Sequence, residues 1–459
     1  MSQYRFLLPG LFAALLLPAA SSHARTLAAT PPMGWNSWDA YGLTINEAQF
    51  KANARVLATL RRYGWKYVVI DEGWYMANPS GKTLAEKNYQ WNRNGLLIPA
   101  PDRFPSAANG AGFKPLADWV HAHGLKFGIH IVRGIPRQVV EANLPIAGTS
   151  FHAADAADKT SPCPWDPGNW GVKDNAAGQA YYDSMMKLYA SWGVDFIKVD
   201  CIANNPYRPT EIRQIAEAIR KSGRPMVLSL SPGPTARAHA AEVAKYAQMW
   251  RISNDHWDVW NPVHKPGQGE FPFGLKDAFD RLGEWAPYAG PGHWPDADML
   301  PWGWLGPHPG WGSARQSRET QTEQRTEFTL WAMARSPLIL GANLTRLDDF
   351  TRSLITNRTV IGIDQKSVAS GPALMPLSTA TPLPWRAWYA RTGGYHPKTY
   401  LAVFNLSDSS GQWDIPWMAF HLPGGSYAVY DIWNHKRVPK AKMLHVELPP
   451  HGCALFRIK

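Results

Sequence analysis

Short apolar, β-branched runs alternate with amphipathic helical stretches from residue 30 to about residue 340, and nothing else in this chain constrains its fold as strongly. The clearest run is Phe196-Ile197-Lys198-Val199-Asp200, entered through Trp192-Gly193-Val194-Asp195. A first short strand falls within 30–38, and others over 67–70, 125–131, 225–230, 249–252, the end of 292–300, and 338–340. Apolar residues at spacings of three and four predict helices over 46–63, 113–123, 179–191, 210–221, 236–246, 275–285 and 319–334. Roughly eight strands, each followed by a helix, predict a parallel (β/α)8 TIM barrel. Near Lys366 the pattern changes to short alternating runs such as Arg386-Ala387-Trp388-Tyr389-Ala390, separated by Gly, Pro, Asn and Ser turns. That reads as a C-terminal antiparallel β-sandwich. The predicted division is a signal segment over 1–24, a barrel over 25–366 and a β domain over 367–459.

Composition excludes some classes of function. The net charge is +11, but no run of Lys and Arg or basic amphipathic helix concentrates it, so a nucleic-acid partner is not expected. Arg5, the apolar stretch 6–20 and Ser22-His23-Ala24 have the pattern of a cleaved export signal. No later stretch reaches the roughly 18 apolar residues of a membrane span. The expectation is an exported protein, periplasmic or secreted, with no membrane partner. Cys163, Cys201 and Cys453 allow at most one bridge, so a packed core and not a disulfide framework carries the fold. Cys201 adjoins Asp200 but, as its strand neighbour, faces the other way and is not expected to be a nucleophile. The 23 Trp suit sugar surfaces as well as cores.

A barrel of this kind collects its chemistry where the strands end. Lys198 and Asp200 are two apart and share one side of their strand. The other strand ends offer Asp71 and Glu72, His130, Arg251 with Asp255, and Asp296 with Asp298. One such pair alone reads equally well as a brace between strands; several on successive strands point to a site. Glycoside hydrolysis requires two carboxyls flanking one bond. Asp200, beside a cation that keeps it ionised, suits the nucleophile. The proton donor is Asp255 or Asp258, both among Trp250, Trp257 and Trp260. His121 and His123 end a helix and not a strand, which argues against metal ligation. No glycine-rich phosphate loop is present, and neither a metal nor an organic cofactor is expected.

The order of motifs then carries a resemblance. Pro32-Met33-Gly34-Trp35-Asn36-Ser37-Trp38, Ile70-Asp71-Glu72-Gly73-Trp74, Lys198-Val199-Asp200, Trp250-Arg251 through Asp255, and Gly292-His293-Trp294-Pro295-Asp296-Ala297-Asp298 resemble the family 27 glycoside hydrolases. That family comprises α-galactosidases and α-N-acetylgalactosaminidases. The resemblance implies a retaining mechanism with Asp200 as nucleophile and Asp255, in preference to Asp258, as acid/base. It implies that Asp71 and Glu72 bind sugar hydroxyls and that Trp38, Lys198 and Arg251 are further sugar-binding positions. The implied substrate is an oligosaccharide or glycoconjugate ending in α-D-galactose, with α-N-acetylgalactosamine or another pyranoside as the alternative. A non-catalytic sugar-binding barrel is the alternative of another kind. This chain departs from the family at Glu72 (usually Asp), His130 (usually Tyr) and Ser231 (Glu in galactose-specific members). Ser231 leaves room at the sugar's 2-position, where His130 and Arg133 are expected to add donors. Cys201 follows the nucleophile directly, where the family's cysteine usually stands two residues after it, so the sequence leaves open whether any two of Cys163, Cys201 and Cys453 form the family's bridge to the preceding loop. The sequence gives no oligomeric state.

Overall fold

The computed structural model describes residues 26–262, 264–265, 269–374 and 384–458. The expected signal segment lies outside them. Eight parallel strands form one sheet: β1 (Met33–Asn36), β2 (Tyr67–Ile70), β3 (Lys126–Val132), β4 (Phe196–Asp200), β5 (Val227–Leu230), β6 (Met249–Arg251), β7 (Trp294–Asp296) and β8 (Leu338–Leu340). Their order is β7-β6-β5-β4-β3-β2-β1-β8. The sheet closes through the parallel bridge of Leu300 with Leu340, where Leu300 N–H donates to Ile339 O at 2.8 Å. Helices α1 (Glu47–Leu60), α2 (Lys114–Ala122), α3 (Ala176–Trp192), α4 (Pro209–Lys221), α5 (Ala240–Tyr246), α6 (Leu275–Trp285) and α7 (Gln321–Ala334) follow successive strands. After β8 come α8 (Asp349–Ile355) and α9 (Arg358–Lys366). No helix among the described residues is long and apolar enough to cross a membrane.

Local sequence explains these elements. Asn46 and Gln49 form a reciprocal capping box at the start of α1. Phe50, Ala54, Leu57 and Leu60 then fall on one buried face. In the strands, a period of two sorts side chains between the helix layer and the barrel interior. Tyr67, Val69, Phe196, Val227, Met249 and Trp294 make an apolar plug inside the barrel. Continuing by twos from these residues leads to Asp71, to Lys198 and Asp200, to Ser229 and Ser231, to Arg251, and to Asp296 and Asp298. Polar residues therefore stand on an apolar floor at the carboxyl ends of the strands. Gly128 of β3 leaves space for that floor, since a Cβ there would lie 3.0 Å from Phe196 Cβ.

The C-terminal strands are β9 (Ser367–Pro372), β10 (Trp385–Thr392), β11 (Thr399–Asn405), β12 (Gly411–Pro416), β13 (Tyr427–Asp431), β14 (Lys436–Ala441), β15 (Met443–Leu448) and β16 (Cys453–Ile458). Six pair in the order β9-β10-β11-β16-β13-β14, and β12 pairs with β15. Every pair is antiparallel. Leu401 and Val403 face β12 and β15 in a second core, whereas Tyr400, Ala402 and Phe404 join the core of the barrel helices. The result is a β-sandwich with its larger sheet against the barrel.

Candidate active site

A cavity of about 300 Å³ lies at the carboxyl ends of the barrel strands. Of the residues expected there, Trp38, Asp71, Glu72, Lys198, Asp200, Ser231, Arg251 and Asp255 all line it. Asp39, Trp165, Asp166, Trp257 and Asp298 complete much of the wall.

Asp200, at the last position of β4, accepts the Cys201 N–H at 2.5 Å on Oδ1 and faces His130 Nε2 at 3.4 Å with Oδ2. Burial alone would raise its pKa. The hydrogen bond from His130, followed by the charges of His130 and Lys198 and the Cys201 N–H, holds the carboxyl below its ordinary range. The main partner of Lys198 is Asp71, at 2.9 Å, so it supports Asp200 through space and not as a direct ion pair. Asp71 also accepts from Asn36 Nδ2 at 2.6 Å, and its own N–H donates to Ser37 Oγ at 2.9 Å. The Pro32–Trp38 motif therefore fixes the second strand's acid. Asp71 is held ionised, well below the ordinary carboxylate range: burial is opposed by Lys198, His130 and the Glu72 N–H.

Asp255 follows β6 and lies 3.3 Å from Arg251 Nη2. Its side chain lines the cavity and is 41% exposed; partial desolvation there, with repulsion from Asp298 and Asp200, outweighs Arg251 and raises its pKa. Arg251 is shared with Asp298 at 2.7 Å. One carboxyl held ionised and one inclined to keep its proton are the two states a double displacement starts from. Asp258 is elsewhere: fully buried, it receives Arg315 Nε at 2.9 Å and the Arg318 N–H at 2.9 Å, and does not line the cavity.

The cavity holds more acids than its cations can neutralise. Glu72 responds to burial and then to Asp166, and its pKa rises to about 8. Asp39 is raised well above the ordinary range by burial and then by Asp298, and no hydrogen bond reaches either of its oxygens. Neither Asp39 nor Asp166 was singled out from sequence. Asp39 follows Trp38 in the first motif and was readable as one more strand-end acid. Asp166 and Trp165 sit in the long β3–α3 connection, where local pattern gave no signal.

Several expectations change. His130 does not line the cavity; with 1% exposure it lies behind it, touching Asp200 and 4.0 Å from Asp71. It points inward because it is the cross-strand partner of Lys198. Burial lowers its pKa, but Asp71 and the bond to Asp200 more than compensate and raise it. Arg133 is turned away from the cavity, donating to Cys201 O at 2.6 Å and to Glu211 at 2.8 Å. It therefore adds no donor at the sugar's 2-position. Cys163 and Cys201 form a disulfide, a pairing the sequence leaves open. The left-handed backbone of Cys201, with φ of 60°, turns the chain sharply after Asp200 and presents the sulfur to the preceding loop. His121 pairs with Asp195 at 2.7 Å, and His123 meets Trp119 O at 2.8 Å.

Known proteins resemble this chain along both its barrel and its sandwich. Residues 166–366 match the sequence family described as alpha galactosidase A, and residues 388–458 match the alpha galactosidase C-terminal beta sandwich domain. A family 27 β-L-arabinopyranosidase from Geobacillus stearothermophilus is 40% identical, with 94% of this chain and 97% of that one covered and a TM-score of 0.86. A variant of it has been solved in complex with arabinose. Alpha-galactosidase A of Cellvibrio japonicus is 28% identical across 98% of this chain and 97% of its own. Alpha-N-acetylgalactosaminidase of Gallus gallus is 27% identical across 74% and 71%. With a β-sandwich behind a barrel whose strand ends gather these carboxylates, and identity extending over nearly the whole chain, this protein belongs to glycoside hydrolase family 27.

Proposed function

We propose that this chain is a retaining exo-glycosidase whose preferred substrate is a terminal β-L-arabinopyranoside, with the α-D-galactoside as a poorer one. Asp200 attacks the anomeric carbon while Asp255 protonates the departing oxygen. Asp255 then takes a proton from water as that water releases the sugar from Asp200. The galactoside expected from the sequence remains in the reading as the second substrate.

The observation that carries the sugar assignment is Glu72. With Asp200 on β4 and Asp255 beyond β6 at the anomeric carbon, the ring extends across the barrel toward β1 and β2. Its far edge, C4 and C5, then meets Trp38, Asp71 and Glu72. The Glu72 N–H is fixed by Asp71 Oδ1 at 2.9 Å, and its carboxyl reaches one methylene further into the cavity than an Asp carboxyl would. α-D-Galactopyranose and β-L-arabinopyranose differ only in the hydroxymethyl on C5, so the longer acid occupies space that galactose needs. The 40% identity with an arabinopyranosidase, against 28–30% with α-galactosidases, supports arabinoside over galactoside, while a 38% identical protein assigned by name alone as an α-N-acetylgalactosaminidase keeps the 2-acetamido sugar as a further substrate to assay. The test is kcat/KM on matched p-nitrophenyl β-L-arabinopyranoside and α-D-galactopyranoside. The wild type is expected to favour the arabinoside, and Glu72→Asp to shift the ratio toward galactoside by about tenfold or more, the scale of one group in a pocket. An unchanged ratio removes Glu72 from the specificity. We also propose export; the Cys163–Cys201 bridge fits an oxidising compartment.

A further inference from the structure

His256 directly follows Asp255, but its ring meets the helix layer. Nε2 lies 2.9 Å from Glu327 Oε1 on α7 and 3.9 Å from Glu319 Oε1, just ahead of that helix. The three side chains are at most 1% exposed. Trp302 Nε1 donates to Glu327 Oε2 at 2.5 Å, whereas Glu319 has, among the described residues, no hydrogen-bond partner other than the neighbouring carboxyl of Glu327, with which it can share a proton. Two adjacent carboxylates in a sealed space must be neutralised by protons or by a cation.

The donor set also has the chemistry and spacing of a metal site. A neutral imidazole and two carboxylates suit a borderline divalent ion. A cation bonded at about 2.0–2.2 Å to each ligand holds them roughly 3–3.5 Å apart. The ligand atoms here all lie within 4.8 Å of one another, and the two spacings from His256 fall on either side of that separation. Trp302 supplies the outer hydrogen bond that orients such a carboxylate.

We propose that His256, Glu319 and Glu327 bind one divalent cation, zinc or manganese, in a structural site that ties the loop carrying Asp255 to α7. The ligands belong to the loop after β6, to the residue just ahead of the α7 cap and to the interior of α7, so binding closes a link between two parts of the chain distant in sequence. This site is independent of which sugar the enzyme prefers.

The test uses the full chain, stripped with chelator and reloaded with zinc chloride or manganese chloride. Bound metal is counted by mass spectrometry after gel filtration, and Tm is followed in parallel. One cation per chain and a higher Tm for loaded than for stripped protein are expected. Glu319→Gln is expected to bind at least about tenfold more weakly and to lose the metal-dependent rise in Tm. Should that variant fail to fold, Glu327→Gln and the wild-type stoichiometry decide. Substoichiometric metal with an unchanged Tm, or binding that neither glutamine variant weakens, overturns the site and leaves shared protons as the means of neutralisation.

Discussion

At the scale of single residues, the two proposed catalytic carboxyls are separated by their surroundings and not by residue type. His130, Lys198 and the Cys201 N–H lower the pKa of Asp200, whereas burial and neighbouring acids raise that of Asp255. Asp200→Asn is therefore expected to abolish turnover while leaving the circular dichroism spectrum unchanged. Azide with an activated substrate should then give a glycosyl azide of inverted anomeric configuration. Near-normal hydrolysis by a folded Asp200→Asn protein would remove it as nucleophile. The pH profile follows from the same shifts. Activity requires Asp200 deprotonated, which sets the acidic limb of kcat/KM, and Asp255 protonated, which sets the basic limb. Removing the imidazole in His130→Phe takes away the hydrogen bond and charge that lower the Asp200 pKa. The acidic limb should move to higher pH while the basic limb stays in place. An acidic limb that does not move would show that His130 does not govern the nucleophile. That His130 stands where the resembled family usually has Tyr was legible in the sequence; its place behind the carboxylates required the register of β3 against β4.

At the scale of elements, strand and helix positions were legible because period-two and period-3.6 patterns are local. The long connection between β3 and α3 was not. Its small sheet, built from Ile135–Pro136, Ala157–Asp158 and Asn169–Val172, pairs segments too short to show a period. That connection carries Trp165 and Asp166 to the cavity and is tied to the end of β4 by the Cys163–Cys201 bridge, spanning 38 residues. Closing a loop of that length is worth about 3–4 kcal/mol in the chain-entropy account. Replacing both cysteines by serine is expected to lower stability by that order, read from denaturant unfolding, and to lower kcat/KM as the cavity wall loosens. Equal stability with and without the bridge would show that it does not stabilise the fold, and an unchanged kcat/KM that it does not hold the cavity wall.

At the scale of the molecule, barrel and sandwich share one core. Phe404 of β11 meets Phe279 of α6 edge to face, with ring centroids 4.9 Å apart. His451, ahead of β16, stacks on Trp260 at 3.8 Å and holds Glu323 of α7 at 2.7 Å. The two parts should therefore unfold together. Phe404→Ala is expected to cost about 3–5 kcal/mol and to lower the Tm of a single calorimetric transition. Two separate transitions, with only one displaced, would show that the sandwich is energetically independent.

The sequence by itself determined the alternation of strands and helices, the change to antiparallel structure near residue 366, and the acids at the strand ends. Each of these is written in local periodicity, so the amino-acid order carries it without the fold. Only the tertiary structure decided which of those acids share a cavity, that Asp258 is bound to Arg315, and that Arg133 faces away. The same is true of His130 behind Asp200 and of the sulfur of Cys201 meeting Cys163. Charge, burial and hydrogen bonding act between residues tens to hundreds of positions apart, and barrel closure sets those distances.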